Sequence, residues 1–173
     1  MNLKRAKEIR EKVKVIKKME DTHNIFNTIT DSNVSLGYVY FRDDLREESI
    51  DEFKGLYTKV GPNNREKLIL LNGEASYYDQ RASATHEFGH SKVHSSVNYC
   101  KLTELNKFEN KDNEVEANYF AGEYLISDEE LLEYPCMTYD QVSSALYVPE
   151  EMVRLKFKYL DKSLLPNTEI FHP

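Results

Sequence analysis

The chain has 173 residues, of which 40% are hydrophobic and 31% are charged, and its net charge is −7. This composition suits one soluble globular domain with a small appendage, and no apolar run is long enough to cross a membrane. The basic N-terminus lacks an apolar stretch, so we expect no signal peptide and a cytoplasmic location. The acidity disfavours general nucleic-acid binding. Cys100 and Cys136 stand far apart and outside any CxxC pair, which predicts free thiols.

Residues 2–20 are predicted to form an amphipathic helix, because apolar side chains recur at near-helical spacing. These are Leu3, Ile9, Val13, Ile16 and Met19. The first eighteen residues also hold eight lysines and arginines against two glutamates. The simpler interpretation is a solvated helix face that docks on an acidic body. The alternative is a contact surface for DNA or for an acidic partner.

Three strands are predicted next, at residues 34–43, 55–60 and 66–72, because these segments are rich in β-branched and aromatic residues. The acidic segment 43–53 is expected to be a loop or a short helix. The sequence GPNN at 61–64 is typical of a turn, so we predict that the second and third strands pair as a hairpin.

Helical patterns return from Tyr78 to about His94 and over residues 114–126, and a polar connection at 107–113 precedes the second of these helices. A short helix with a Ser-x-x-Glu capping box then follows and ends before Pro135.

The segment ATHEFGHSKVH, residues 84–94, contains the pattern HExxH. Residues four apart lie on one face of a helix, so His86 and His90 can direct two imidazoles at one ion. Glu87 then lies beside them, where it can act on a water molecule as base and acid in turn. This is the arrangement of zinc peptidases. The alternative is an ordinary helix that carries histidines on its surface.

A catalytic zinc takes a third protein ligand and leaves a fourth position for water. The class with a third histidine six residues after the second is excluded, because Ser96 occupies that position. A glutamate from the following helix remains. Glu114 is preferred to Glu116, which is expected to point the other way and face solvent.

Two further side chains are expected to support the ligands. Asn118 lies one turn from Glu114 on the same face, where it can bond a ligand imidazole and fix its tautomer. His94 follows His90 by four residues, too far along the helix to close a tetrahedron, and is interpreted as a supporting or a surface histidine.

Residues 137–160 are predicted to form two short helices joined by a tight turn at 147–151. They resemble a helix-turn-helix, although a helical hairpin that packs on the preceding domain is the simpler interpretation. The second helix has a thin basic face made of Arg154, Lys156 and Lys158. Direct DNA binding through these helices is not expected but stays open as an alternative.

The segments RASATHEFGHSKVH and NEVEANYFAGEYLIS resemble the ImmA/IrrE family of metallopeptidases. That family pairs an H-E-[LF]-G-H helix with an E-x-E-A-N-x-F-A helix, and the resemblance covers about residues 55–133. By this resemblance, His86, His90 and Glu114 match the ligands of Zn²⁺ and Glu87 matches the catalytic glutamate. The family usually has Met-Pro after the second helix, where this chain has ISDEEL.

The resemblance also implies an α+β fold, with a zincin-like catalytic domain built on a small β-sheet and the HExxH helix. This domain and the N-terminal helix would occupy residues 1–134, and a helix-turn-helix-like helical element and tail would occupy residues 135–173.

The best-understood members of the family cleave or inactivate helix-turn-helix repressors, including those that guard phages and integrative elements. The resemblance therefore implies a zinc endopeptidase that acts on such a repressor in the cytoplasm, as an anti-repressor. Two alternatives stay open. One is a peptidase-like protein that inactivates the repressor by stoichiometric binding, and the other is a DNA-binding regulator whose metal is structural. The sequence leaves the oligomeric state open.

Overall fold

The structure, a computed structural model, describes residues 1–19, 24–41, 53–94, 111–134 and 137–160, apart from the side chain of Asn64. Both cysteines, almost all of the acidic segment at 43–53 and most of the polar connection at 107–113 lie outside the described residues.

The described residues form three strands and seven α-helices. The strands are β1 (Ser35–Val39), β2 (Gly55–Val60) and β3 (Glu66–Asn72). The helices are α1 (Leu3–Lys18), α2 (Ile25–Asp31), α3 (Tyr77–Val93), α4 (Lys111–Leu125), α5 (Asp128–Leu132), α6 (Tyr139–Leu146) and α7 (Glu150–Lys158). The fold is thus a mixed α+β structure with a small sheet, as predicted. No described helix combines the length and apolar character that a membrane span requires.

The sheet has the order β1-β3-β2, in which β1 is parallel and β2 antiparallel to the central strand β3. The predicted hairpin of the second and third strands is confirmed. Its turn begins at Gly61, whose φ of 76° is costly for residues with a Cβ. In the part of the chain that the structure describes, β2 is an edge strand, and the helix α3 packs against it.

Helix α1 packs on α4 through an apolar stripe and through ion pairs. Arg5 pairs with Glu116, and Arg10 pairs with Glu123 and Asp128. The predicted docking of the basic N-terminal helix on an acidic body is therefore confirmed.

The apolar stripe of α1 differs from the predicted one at its two ends. Ile9 and Val13 are buried, whereas Leu3 and Met19 are 67% and 81% exposed, so the prediction that these two belong to the stripe is wrong. The helix turns by about 100° per residue, which carries both positions off the face that Ile9 occupies. Ala6 is buried on that face instead.

Helix α2 is not among the predicted elements, although its signals are in the sequence. Asn24 caps it by accepting from the backbone N–H of Phe26, and Ile25 and Ile29, four residues apart, are buried. The Thr28 hydroxyl lies 2.8 Å from the hydroxyl of Tyr124 on α4, which joins the two helices.

The two predicted C-terminal helices are present as α6 and α7, and they pack on the end of α4 and on α5. Val142 and Val153 are buried in one apolar cluster with Ile126 and Leu131. This packing agrees with a helical hairpin held on the preceding residues. The helix-turn-helix interpretation and the division of the chain after residue 134 stay predictions.

The predicted basic face of α7 is reduced by an internal ion pair. Lys156 is 2% exposed and donates to Glu123 at 2.9 Å, and it also pairs with Asp128. Arg154 pairs with Glu150 one turn earlier on the same helix. The prediction that Lys156 contributes to an accessible basic face is wrong, because α7 turns this side toward α4 and α5.

Candidate metal centre

Helix α3 places the two histidines of the HExxH pattern on one face, as their spacing predicts. The helix begins after Ser76, whose side chain accepts from the backbone N–H of Asp79. His86 Nε2 and His90 Nε2 lie 3.0 Å apart and face the same point. Each ring thus presents one nitrogen to a common position between the helices.

A close crossing of α3 and α4 brings the third candidate ligand to that position. A Cβ atom on Gly89 would lie only 3.1–3.2 Å from atoms of Phe120, so the glycine allows the approach. Glu114, in the first turn of α4, then has Oε2 3.1 Å from His86 Nε2 and Oε1 3.2 Å from His90 Nε2. His86, His90 and Glu114 form a three-residue group whose donor atoms all lie within 4.8 Å of one another.

The donor set fits a zinc ion. On a tetrahedral ion with bonds of about 2.0–2.1 Å, neighbouring donors lie roughly 3.3–3.4 Å apart. The two imidazole nitrogens are 3.0 Å apart and each lies 3.1–3.2 Å from a different oxygen of Glu114, so the spacing suits a small cation held between the three side chains. Two histidines and a glutamate are also an established ligand set for catalytic zinc, which keeps a fourth position open.

Asn118 lies where the sequence predicts, one turn from Glu114. Its Oδ1 is 2.8 Å from His86 Nδ1. A carbonyl oxygen can only accept, so His86 carries a hydrogen on Nδ1 and its Nε2 is left with a lone pair for a metal.

His94 is buried beside the site rather than on the surface. Its Nδ1 lies 3.0 Å from His90 Nδ1, on the side of the ring that faces away from Glu114. It contacts a candidate ligand without joining the group of three donors.

Glu116 does not face solvent, so that prediction is wrong. Its side chain is 13% exposed, and its Oε2 is held by Arg5 at 2.8 Å and lies 3.1 Å from His94 Nε2. Helix geometry places Glu116 away from Glu114, but α1 packs over that side of α4 and encloses it. Burial acts to raise the pKa of Glu116, but the hydrogen bonds with Arg5 and His94 outweigh it and hold this pKa below its usual value.

Glu87 is anchored by the edge strand. Its Oε2 accepts a 2.7 Å hydrogen bond from the backbone N–H of Tyr57, which points away from the sheet. A Cβ on Gly55 would lie 3.2 Å from Glu87 Cγ, so the glycine leaves room for this side chain. Burial raises the pKa of Glu87, and the nearby histidines reduce this effect without cancelling it. A carboxylate with a raised pKa suits proton transfer near neutral pH.

The candidate ligands shift one another's pKa values in opposite directions. Burial favours a protonated Glu114, but the close contacts with the imidazoles of His86 and His90 outweigh it and lower the pKa of Glu114 far below its usual value. Burial lowers the pKa of His86, and the carboxylates of Glu114 and Glu87 outweigh it and raise the pKa overall. The site therefore favours a positive charge at its centre.

Sequence reasoning missed two contributions to the site. The first is the backbone of Tyr57, since a backbone N–H has no sequence signal. The second is the contact of Arg5 with Glu116, for which the only signals are the basic N-terminal helix and the acidic start of α4.

A model of the IrrE N-terminal-like domain, Peptidase_M78, matches residues 35–158, from the start of β1 to the end of α7. The chain belongs to this family of metallopeptidases. The resemblance to the ImmA/IrrE family is thereby confirmed. The helices α1 and α2 lie before the matched residues.

The chain is also similar to a protein of Bacillus phage phi105 named "Uncharacterized immunity region protein 2". The two are 31% identical over 96 residues, which are 54% of this chain and 61% of the phage protein. The match thus spans about three fifths of that relative's length.

Proposed function

We propose that the protein is a zinc-dependent endopeptidase that hydrolyses a peptide bond in a helix-turn-helix repressor, and so acts as an anti-repressor in the cytoplasm. One observation carries this proposal. His86, His90 and Glu114 direct three donors to one point, while Glu87 lies beside them and is held by other contacts. A purely structural metal needs no such carboxylate.

A zinc ion held by these three residues would lower the pKa of water and polarise a peptide carbonyl. Glu87 takes the proton as water attacks the carbonyl carbon. It then delivers this proton to the leaving nitrogen, which completes the cleavage of the C–N bond. Asn118 keeps the hydrogen of His86 on Nδ1 throughout.

The strand β2 offers a place for an extended substrate next to Glu87. In an antiparallel strand the N–H and C=O of one residue point to the same side. The N–H of Tyr57 points toward Glu87 and away from β3, and its C=O therefore faces the same edge. We propose that the substrate is cut within an extended segment that pairs with this edge.

The repressor as target is supported by the family resemblance and by the name of the phage relative, which refers to an immunity region. The same resemblance supports a zincin-like catalytic domain at residues 1–134 and a helix-turn-helix-like element at 135–173. Inactivation of the repressor by stoichiometric binding is the second candidate function, because the same contacts could hold a repressor without cutting it.

Direct DNA binding is disfavoured by the burial of Lys156 and by the pairing of Arg154 with Glu150. We expect the intact protein to show no sequence-specific DNA binding with a steep salt dependence. Such binding, measured by titration at several salt concentrations, would instead support the DNA-binding regulator.

The proposed activity is tested by incubating the protein with the helix-turn-helix repressor encoded beside it. We expect defined repressor fragments when zinc is present and none after treatment with a chelator. Addition of zinc after the chelator is removed should restore cleavage. An intact repressor that co-purifies with the zinc-loaded protein would support the binding function and contradict the peptidase.

A further inference from the structure

A continuous line of hydrogen bonds joins helix α1 to the candidate metal centre. Arg5 Nε and Nη2 both donate to Glu116 Oε2, at 2.9 and 2.8 Å. The same oxygen lies 3.1 Å from His94 Nε2, and His94 Nδ1 lies 3.0 Å from His90 Nδ1. The opposite nitrogen of His90 faces Glu114 and His86. The line thus ends on a candidate metal ligand.

The donors and acceptors in this line can be assigned from its outer end. A guanidinium only donates and a carboxylate only accepts, so His94 must donate to Glu116 through Nε2. In neutral His94 the other nitrogen, Nδ1, then carries a lone pair and accepts from His90 Nδ1. His90 therefore holds its hydrogen on Nδ1, and its Nε2 keeps the lone pair that a metal needs. The reverse tautomer of His90 would point a hydrogen at the metal.

Arg5 supplies the counter-charge that keeps Glu116 in place. Glu116 is largely enclosed between α1 and α4, where an unpaired carboxylate would be costly. Arg5 Nη2 also lies 3.4 Å from the backbone oxygen of Val93, the residue before His94. One arginine side chain thus contacts both the carboxylate that orients His94 and the backbone next to it.

We propose that Arg5 is a positioning residue of the metal centre, which acts through Glu116 and His94 on the lone pair of His90. The inference rests on the proposed function only in taking His90 as a metal ligand. Helix α1 lies before the residues that match the family model, so this contact reaches the site from outside the matched segment. The contact of the Arg5 side chain with Glu116, rather than the docking of α1 in general, is therefore coupled to the affinity for zinc.

Arg10 provides a matched control on the same helix. It pairs with Glu123 at 3.1 Å and with Asp128 at 2.9 Å, and its side chain is more buried than that of Arg5. Glu123 and Asp128 both keep Lys156 as a partner when Arg10 is removed. Arg10 is not part of the line of hydrogen bonds that ends on His90. Arg10→Gln therefore weakens the docking of α1 and leaves that line in place.

The experiment measures the zinc affinity of the full-length protein by competition with a chromophoric chelator, together with the absorption spectrum of the Co²⁺ form. We expect Arg5→Gln and Glu116→Gln to weaken zinc binding by about tenfold and to change the Co²⁺ spectrum, since partners that orient a ligand are typically worth about 10–100-fold in affinity. Arg10→Gln should keep the wild-type spectrum and affinity. Arg5→Lys retains the positive charge but loses the planar pair of N–H donors, so its zinc affinity should lie between those of wild type and Arg5→Gln. This variant also keeps the test possible if Arg5→Gln does not fold.

Wild-type zinc affinity in Arg5→Gln and Arg5→Lys would overturn the inference. An equal loss of affinity in Arg10→Gln would also overturn it, because the effect would then come from helix docking in general. A wild-type protein that binds no zinc would instead contradict the proposed function, so the two failures are distinguishable.

Discussion

The backbone N–H of Tyr57 donates a 2.7 Å hydrogen bond to Glu87 Oε2. This contact joins the proposed general base to the edge strand along which we propose that the substrate binds. It engages one of the two carboxylate oxygens, so the strand orients the base that serves the scissile bond.

The first prediction concerns Glu87→Gln. The glutamine amide oxygen can still accept from Tyr57, and the side-chain volume is almost unchanged, so zinc content and thermal stability should stay near wild type. Glutamine cannot accept the proton, however, and repressor cleavage should fall by about 10²–10⁴-fold or more. Gel densitometry of the cleaved repressor and metal analysis of the same samples provide the test.

Cleavage at the wild-type rate by this variant would remove Glu87 from the mechanism. If Glu87→Gln inactivates the repressor in cells without any fragment, stoichiometric binding becomes the better account.

The second prediction concerns the ligands. His86→Ala and Glu114→Ala should lose stoichiometric zinc, because each removes one of three converging donors. Glu116→Ala is the matched control from the same helix and should still bind one zinc per chain when zinc is saturating, with reduced affinity. Mass spectrometry of the metal content distinguishes the variants. If Glu116→Ala loses zinc and Glu114→Ala retains it, then Glu116 and not Glu114 is the third metal ligand.

The third prediction concerns the crossing of α3 and α4. In Gly89→Ala the new methyl group would lie 3.1–3.2 Å from Phe120, which is tighter than ordinary van der Waals contact. Because the Phe120 Cβ is fixed to the backbone of α4, we expect the strain to shift α4 slightly and to move Glu114 relative to the imidazoles. We expect weaker zinc binding and a loss of stability of about 1–3 kcal/mol, as for overpacking in a core.

Gly122→Ala is the control for this prediction, since its Cβ would meet the backbone oxygen of Met152 at 2.7 Å, where α4 crosses α7. It should lower the melting temperature and leave zinc affinity close to wild type. If Gly89→Ala and Gly122→Ala bind zinc with equal affinity, the close crossing of α3 and α4 at Gly89 does not set the geometry of the ligands.

The fourth prediction concerns pH. The pKa of His86 in the metal-free fold is raised above 6.5, so the protonated ring stabilises this fold below pH 6.5, and that contribution is lost as pH rises through the folded pKa. Zinc needs the neutral ring and must displace this proton. Zinc affinity should therefore fall by about tenfold per pH unit below the folded pKa of His86.

Chelator competition between pH 8.5 and 5.5 measures this dependence. We also expect the melting temperature of the metal-free wild type to exceed that of metal-free His86→Ala by more at pH 5.5 than at pH 8.5. This comparison separates the effect of His86 from that of His94, because burial lowers the pKa of His94. Zinc affinity that stays constant over this range would contradict the prediction.

The spacing of residues within each helix determined the parts of the site that lie on one element. The four-residue separation of His86 and His90, and that of Glu114 and Asn118, fixes both pairs on common faces, because the backbone hydrogen bonds of a helix set its period locally. The order of the two motifs along the chain then identified the family. For these features the local geometry leaves few alternatives.

Only the tertiary structure decided which faces are covered. Glu116 became part of the site because Arg5, 111 residues earlier in the chain, lies over it. Lys156 is buried because the side of α7 that carries it faces α4. Tyr57 directs its N–H at Glu87 because this N–H lies on the edge of β2 that does not pair with β3. A sequence specifies the period of each element locally, but contacts between elements depend on packing energies summed over residues far apart in the chain.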